Sequence, residues 1–179
     1  MRVVSGSARG LKLVAPIGED TRPTLDRVKE AVFSMLSPYL YESTVLDAFA
    51  GSGALGIECL SRGASHVAFA ECNQSALRCI NTNLQNIKLM DKSTVYSGNV
   101  LDFIESYDGK FDIVFLDPPY ESGLYKKALD AIHKNGILSD EGIIVAEWDY
   151  SKKPDFGDCF ELIKEKKYGR VGISLLKRG

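Results

Sequence analysis

The sequence predicts an α/β protein: a mostly parallel, seven-stranded sheet with helices on both faces, closed by a C-terminal antiparallel hairpin and preceded by a small N-terminal β-hairpin extension. Three observations predict it. From Ser43 onward, short apolar runs alternate with segments of helical spacing, the pattern of parallel strands joined by helical crossovers. A Gly-x-Gly-x-x-Gly loop, from Gly51 to Gly56, joins the first of these runs to its helix. The last two strand-like runs are separated only by Gly169-Arg170, which leaves room for a tight antiparallel turn and no helix.

Residues 1–20 read as an extended or hairpin element, with strand-like runs Arg2–Ser5 and Leu11–Ala15 around Gly6 and Gly10; residues 21–179 read as the main domain. Thr21-Arg22-Pro23-Thr24 punctuates the chain. Leu25, Val28, Val32, Phe33 and Leu36 then recur at helical spacing, with Pro38 expected to lie beyond the helix end. Strands follow at Thr44–Phe49, His66–Glu71, Ser93–Ser97, Phe111–Asp117 and Gly142–Trp148, with helices near Ala54–Arg62, Ser75–Leu84, Val100–Ser106 and Leu124–Lys134. Cys159–Tyr168 and Val171–Lys177 form the closing hairpin. In open sheets of this kind ligands bind outside the carboxyl ends of the strands, so the residues that end each strand carry the functional reading.

A chain of 179 residues, 45% apolar and 26% charged, suits one soluble globular domain. The N-terminus lacks a signal-peptide apolar region, and no apolar run approaches the roughly 20 residues that cross a bilayer, so a cytoplasmic protein with no membrane partner is expected. Cys59, Cys72, Cys79 and Cys159 form no Cys-x-x-Cys pair, and neither His66 nor His133 stands at zinc-ligand spacing from them. No structural metal is expected. A net charge of −2 argues against indiscriminate coating of nucleic acid, although Arg2, Arg9 and Lys12 gather at one end and Lys164, Lys166, Lys167, Arg170, Lys177 and Arg178 at the other. Solvated surface lysines account for the second group equally well.

Asp47 ends the first strand beside the glycine loop. That carboxylate would repel a pyrophosphate seated on the following helix N-terminus, and would suit a cationic ligand without phosphate. S-adenosylmethionine, with an ammonium and a sulfonium, is such a ligand, and Asp47, Phe49, Gly51 and Gly53 are its first candidate contacts. Glu71 ends the second strand, where an acid accepts hydrogen bonds from ribose hydroxyls. Asn99 and Val100 follow the third, placed for an adenine edge and face, though Asn99 serves equally as a helix N-cap. The fourth strand ends in Asp117-Pro118-Pro119-Tyr120. Two prolines stiffen the backbone and remove N–H donors, leaving Asp117 and the Pro118 carbonyl as an acceptor-only pair. Such a pair can grip both hydrogens of an aromatic exocyclic amine and aim its lone pair at a methyl donor, while Tyr120 stacks on the base.

With these residues, the chain resembles the amino-directed branch of Rossmann-like methyltransferases, most closely the RsmD type, the bacterial small-subunit rRNA guanine-N2 methyltransferases. Leu46-Asp47-Ala48-Phe49-Ala50-Gly51-Ser52-Gly53-Ala54-Leu55-Gly56 and Asp117-Pro118-Pro119-Tyr120 match the core motifs; Arg2-Val3-Val4-Ser5-Gly6, Arg9-Gly10, Arg22-Pro23-Thr24 and Asp26-Arg27-Val28-Lys29-Glu30 resemble the N-terminal pattern. The resemblance implies a guanine of 16S rRNA as substrate, presented on the 30S subunit or an assembly intermediate. It also implies that Arg22 and Thr24 lie over the cofactor and that Arg9, Lys12 and Arg27 meet rRNA phosphates. The same acceptor pair leaves a DNA adenine-N6 or cytosine-N4 methyltransferase open, and the glycine loop alone leaves a nucleotide-binding oxidoreductase open.

Overall fold

The computed structural model describes residues 1–16, 23–119 and 123–179, and within its first helix the side chains from Asp26 onward. Strands and helices alternate in the expected order: α1 Pro23–Leu40, β1 Thr44–Asp47, α2 Ala54–Ser61, β2 His66–Glu71, α3 Gln74–Ile87, β3 Ser93–Ser97, α4 Val100–Ser106, β4 Phe111–Leu116, α5 Leu124–Asn135, β5 Leu138–Asp149, β6 Phe160–Tyr168 and β7 Val171–Arg178. They form one seven-stranded sheet in the order β3-β2-β1-β4-β5-β7-β6. The first five strands are parallel, and β7 inserts antiparallel between β5 and β6. The fold class read from the sequence is therefore the observed one.

Both faces of the sheet are covered, which is why its central strands read as unbroken apolar runs. Val45, Val67, Phe69, Ile113, Phe115 and Val145 face one layer, with Val32, Phe33 and Leu36 of α1, Ile57 of α2 and Ile80 and Leu84 of α3. Leu46, Ala68, Val114, Leu116 and Ile144 face the other, with Phe103 and Ile104 of α4 and Ala128, Leu129 and Ile132 of α5. Alternate residues along each strand thus serve alternate layers.

Two elements differ from the sequence reading. α1 continues through Pro38 to Leu40, because Pro38 falls in the last turn and buried Leu40 holds that turn on the core. Ser43 closes the helix end, its hydroxyl donating to the Leu40 carbonyl at 2.7 Å. β5 begins at Leu138, four residues earlier than Gly142. Its register against β4 jumps from Phe111↔Leu138 to Ile113↔Ile143, a bulge that absorbs the polar residues Ser139 to Glu141. Asp112 fastens that bulge: its carboxylate accepts from the Ser139 hydroxyl and from the Thr44 N–H, each at 2.9 Å.

The N-terminal segment folds back on itself as expected: Arg2 and Lys12 form an antiparallel bridge, flanked by Val3 N–H donating to the Leu11 carbonyl at 2.9 Å, Gly10 N–H to the Val3 carbonyl at 2.9 Å and Leu13 N–H to the Met1 carbonyl at 3.0 Å. Its other backbone donors are directed at the helices below it. Val4 and Ser5 N–H donate to the buried Glu58 carboxylate at 2.8 and 2.9 Å, and Ala8 N–H to the Ser61 hydroxyl at 2.9 Å. Asn83 on α3 pairs with the backbone of Val14 in both directions, at 2.7 and 2.8 Å, and also donates to the Ser52 carbonyl at 3.0 Å. Asn83 is fully buried. Asn83→Ala leaves those groups without partners and should lower stability by roughly 2–4 kcal/mol, read as a lower urea midpoint at unchanged m-value. Amides of residues 13–14 should also exchange faster; full retention of both properties would contradict the anchoring role.

Candidate functional site

The carboxyl ends of the parallel strands surround a cavity of about 1040 Å³. Asp47, Phe49 and Gly51 line it from the β1 end, Glu71 from β2, Asn99 and Val100 from the end of β3, and Asp117, Pro118 and Pro119 from β4. Gly53 does not reach the wall. It lies behind the loop, at φ +77, where an added Cβ would come within 3.2 Å of Ile80 and 3.3 Å of Phe69, so its contribution is the turn itself. Arg9, Lys12 and Arg27 are exposed and lie outside the cavity lining. Arg22 and Tyr120 fall outside the described residues, as does the side chain of Thr24.

Two carboxylates shape the loop. Asp47 is buried and accepts from the Gly56 N–H at 3.0 Å, supplying from the strand the first-turn partner that Gly53, with no side chain, cannot give α2. Glu71 accepts from Gly51 N–H at 2.8 Å with one oxygen, and from Cys72 and Asn73 N–H at 2.8 and 2.7 Å with the other. A carboxylate has about four lone-pair positions, so Glu71 retains capacity for a ligand hydroxyl beside these three bonds. Asn99 is the N-cap of α4, accepting from Leu101 N–H at 2.9 Å, while the buried Val100 presents an apolar surface beside it. Pro118 is buried and Asp117 exposed, so the stiff turn is anchored in the protein while its acid meets the open cavity.

The cavity's electrostatics favour a cation. Among the described residues, five carboxylates line it, Asp26, Asp47, Glu71, Asp117 and Glu147, against one lysine, Lys29. Lys29 is already committed: its ammonium donates to the Arg2 carbonyl at 2.6 Å and lies 3.4 Å from Glu58. Burial pushes the Asp47 carboxyl up to about 7, the Gly56 N–H opposes this, and the charge of Glu71 adds to the rise. A pyrophosphate would meet acids where it needs donors, whereas the sulfonium and ammonium of S-adenosylmethionine would meet opposite charge. The residues present therefore fit that cofactor: Asp47 for its cationic end, Glu71 for ribose hydroxyls, and Val100 for an adenine face. Among the described residues, no cluster of three or more His, Cys, Asp or Glu is arranged to hold a metal ion.

Asp26, Lys29 and Glu147 join the lining without having been singled out in the sequence. Glu147 carried a signal. It is an acid near the end of the apolar run Ile143–Ala146, the same position that Asp47 and Glu71 occupy on their strands.

The raised Asp47 value has a stability consequence of definite sign. Between about pH 4 and pH 7 the folded protein keeps a proton on Asp47 that the unfolded chain has released, so this group's contribution falls as pH rises through that window and is flat above it. Asp47→Asn keeps an acceptor for Gly56 and removes the titration. Urea unfolding at pH 5 and pH 7.5 should show a smaller pH-dependent loss in the variant, by on the order of 1–3 kcal/mol. Equal losses in the two proteins would contradict the buried-acid assignment.

The family described as Conserved hypothetical protein 95 matches residues 1–177. The Haemophilus influenzae protein named ribosomal RNA small subunit methyltransferase D is 38% identical, over 98% of this chain and 92% of its own. The Escherichia coli protein of the same name is 35% identical, over 99% and 90%. The solved structure of Escherichia coli YhhF superposes with a TM-score of 0.88 at 34% identity, covering 99% of this chain and 97% of that one. The architecture is the Rossmann-like methyltransferase fold.

Proposed function

The chain belongs to the Conserved hypothetical protein 95 family, and on that premise we propose that it is an S-adenosylmethionine-dependent methyltransferase that modifies the exocyclic N2 of a guanine in 16S rRNA. The substrate in this reading is the small ribosomal subunit or an intermediate in its assembly. One observation carries the chemistry: a single acid-lined cavity reaches from the glycine loop and Glu71 to Asp117-Pro118-Pro119. Cofactor determinants and amine acceptors thus share one space.

When bound, the cofactor supplies an electrophilic methyl group on a sulfonium. The protein's own task is to make a poor nucleophile competent. The lone pair of a guanine amine is delocalised into the ring, and Asp117 and the Pro118 carbonyl, accepting its two hydrogens, favour a pyramidal nitrogen whose lone pair faces the cofactor. Pro118 is held in the protein interior, which preorganises the carbonyl acceptor. Asp47 and Glu71, fixed by their backbone bonds, keep the cofactor end of the cavity in register. Tyr120 stacks on the extruded base, and Arg22 and Thr24 cover the cofactor, in keeping with the sequence resemblance. Arg9, Lys12 and Arg27 are exposed and available to rRNA phosphates.

Asp117→Ala should lower turnover at least about 10²-fold while S-adenosylhomocysteine affinity, measured by calorimetry, stays within a few-fold of the unaltered protein. Near-normal turnover would remove Asp117 from the mechanism. The substrate is tested by mass spectrometry of 16S rRNA nucleosides from cells lacking the protein. N2-methylguanine should fall and return on complementation; loss of a methylated adenine or cytosine instead would overturn the guanine assignment.

A further inference from the structure

Glu147 is an acid inside the cavity that the amine-gripping mechanism does not use. Its position follows from the sheet. β4 and β5 run parallel, and their pairing ends with Phe115↔Val145 and Leu116↔Ala146. The same register carried one residue past the end of β4 brings Asp117 beside Glu147, at a strand spacing of about 5 Å. In-register residues of parallel strands turn to the same side, and both of these residues line the one cavity. The flanking Ala146 and Trp148 are buried in the protein, so the strand is held firmly on either side of this carboxylate. Burial pushes the Glu147 carboxyl up, the mark of an acid withdrawn from water.

A second acceptor beside Asp117 constrains which base fits. In guanine the N2 amine adjoins the ring N1–H, a donor. In adenine and cytosine the exocyclic amine adjoins a ring nitrogen that carries only a lone pair. A carboxylate placed for the neighbour of the amine therefore attracts guanine and repels the other two. We propose that Glu147 is the specificity-determining residue of this site, accepting the N1–H of the target guanine while Asp117 and the Pro118 carbonyl hold its N2 amine. The inference rests on the guanine-N2 reading and supplies the physical means of that choice.

The test replaces the target guanine by 2-aminopurine, which keeps the N2 amine and has an unprotonated N1. Small subunits are reconstituted with 16S rRNA carrying either base at the methylated position, and methyl transfer is measured as kcat/KM with the unaltered protein, Glu147→Gln and Glu147→Ala. The unaltered protein should prefer guanine by about 10²-fold or more, and both variants should narrow that preference to less than about tenfold. S-adenosylhomocysteine affinity of the variants should be unchanged. An unaltered protein that methylates 2-aminopurine as fast as guanine overturns the proposal without recourse to any variant. Variants that methylate yet keep the full preference overturn it too. If the unaltered protein makes no N2-methylguanine at all, the underlying reading fails first, and mass spectrometry of its product distinguishes that failure from the others.

Discussion

The sheet's burial on both faces governs the molecule. A strand stretch covered above and below carries a charge only at a large desolvation cost, so the acids that face the cavity stand where the apolar runs end. In a parallel sheet the carboxyl ends lie together, and here they bring Asp47, Glu71, Asp117 and Glu147 to the wall of one cavity. Each follows or closes an apolar run, Val45-Leu46, Val67 to Ala70, Ile113 to Leu116 and Ile143 to Ala146. Fold and site are thus consequences of the same segregation. The apolar runs exclude these charges, and the topology collects them.

Collected charge of one sign would weaken a protein unless it were bound, and the glycine loop uses part of it. Asp47 and Glu71 accept from Gly56 and Gly51, so the loop is tied at both ends by the acids of the strands it adjoins. Gly56 must lie close for this to work. A Cβ there would come within 2.3 Å of the Phe69 ring. The glycines therefore serve two demands at once, a left-handed turn at Gly53 and close approach of α2 to β2 at Gly56. The acids that face the ligand are the same ones that shape its seat. This ties the pH behaviour of stability to that of binding.

Much of this was legible in the sequence, for a physical reason: alternating apolar runs and helical spacing state the layers directly, and Asp47, Glu71 and Asp117 end their runs visibly. What was less legible depends on long-range contacts. Pro38 reads as a helix stop, and only the burial of Leu40 carries α1 past it. The start of β5 is hidden by polar residues that a bulge absorbs and Asp112 secures. The N-terminal runs pair as the hairpin they look like, but nothing local reveals that Glu58, Ser61 and Asn83 fasten its other backbone groups. Asn99 had two readings, and the helix cap is the one seen in the hydrogen bonds. Glu147 was visible by the same rule as Asp47, but the strand pairing that sets it abreast of Asp117 is a property of the sheet.

The N-terminal segment belongs to the site through its polar core. Glu58 is fully buried and meets Lys29, the Arg62 guanidinium at 2.8 Å, and the Val4 and Ser5 N–H groups. Lys29 holds the Arg2 carbonyl from the other side, and Asn83 joins Val14 to Ser52 of the glycine loop. A buried ion pair of this kind is weak evidence for stability, since its attraction must offset the desolvation of each charge. Its stronger effect is positional, because a buried carboxylate surrounded by four fixed donors tolerates one arrangement. Met1, Asp26 and Lys29 then stand at the cavity wall, with Arg9 and Lys12 exposed on the same short segment. The buried Asn83 side chain, bonded to Val14 on one side and to Ser52 on the other, fixes this segment and the glycine loop relative to each other.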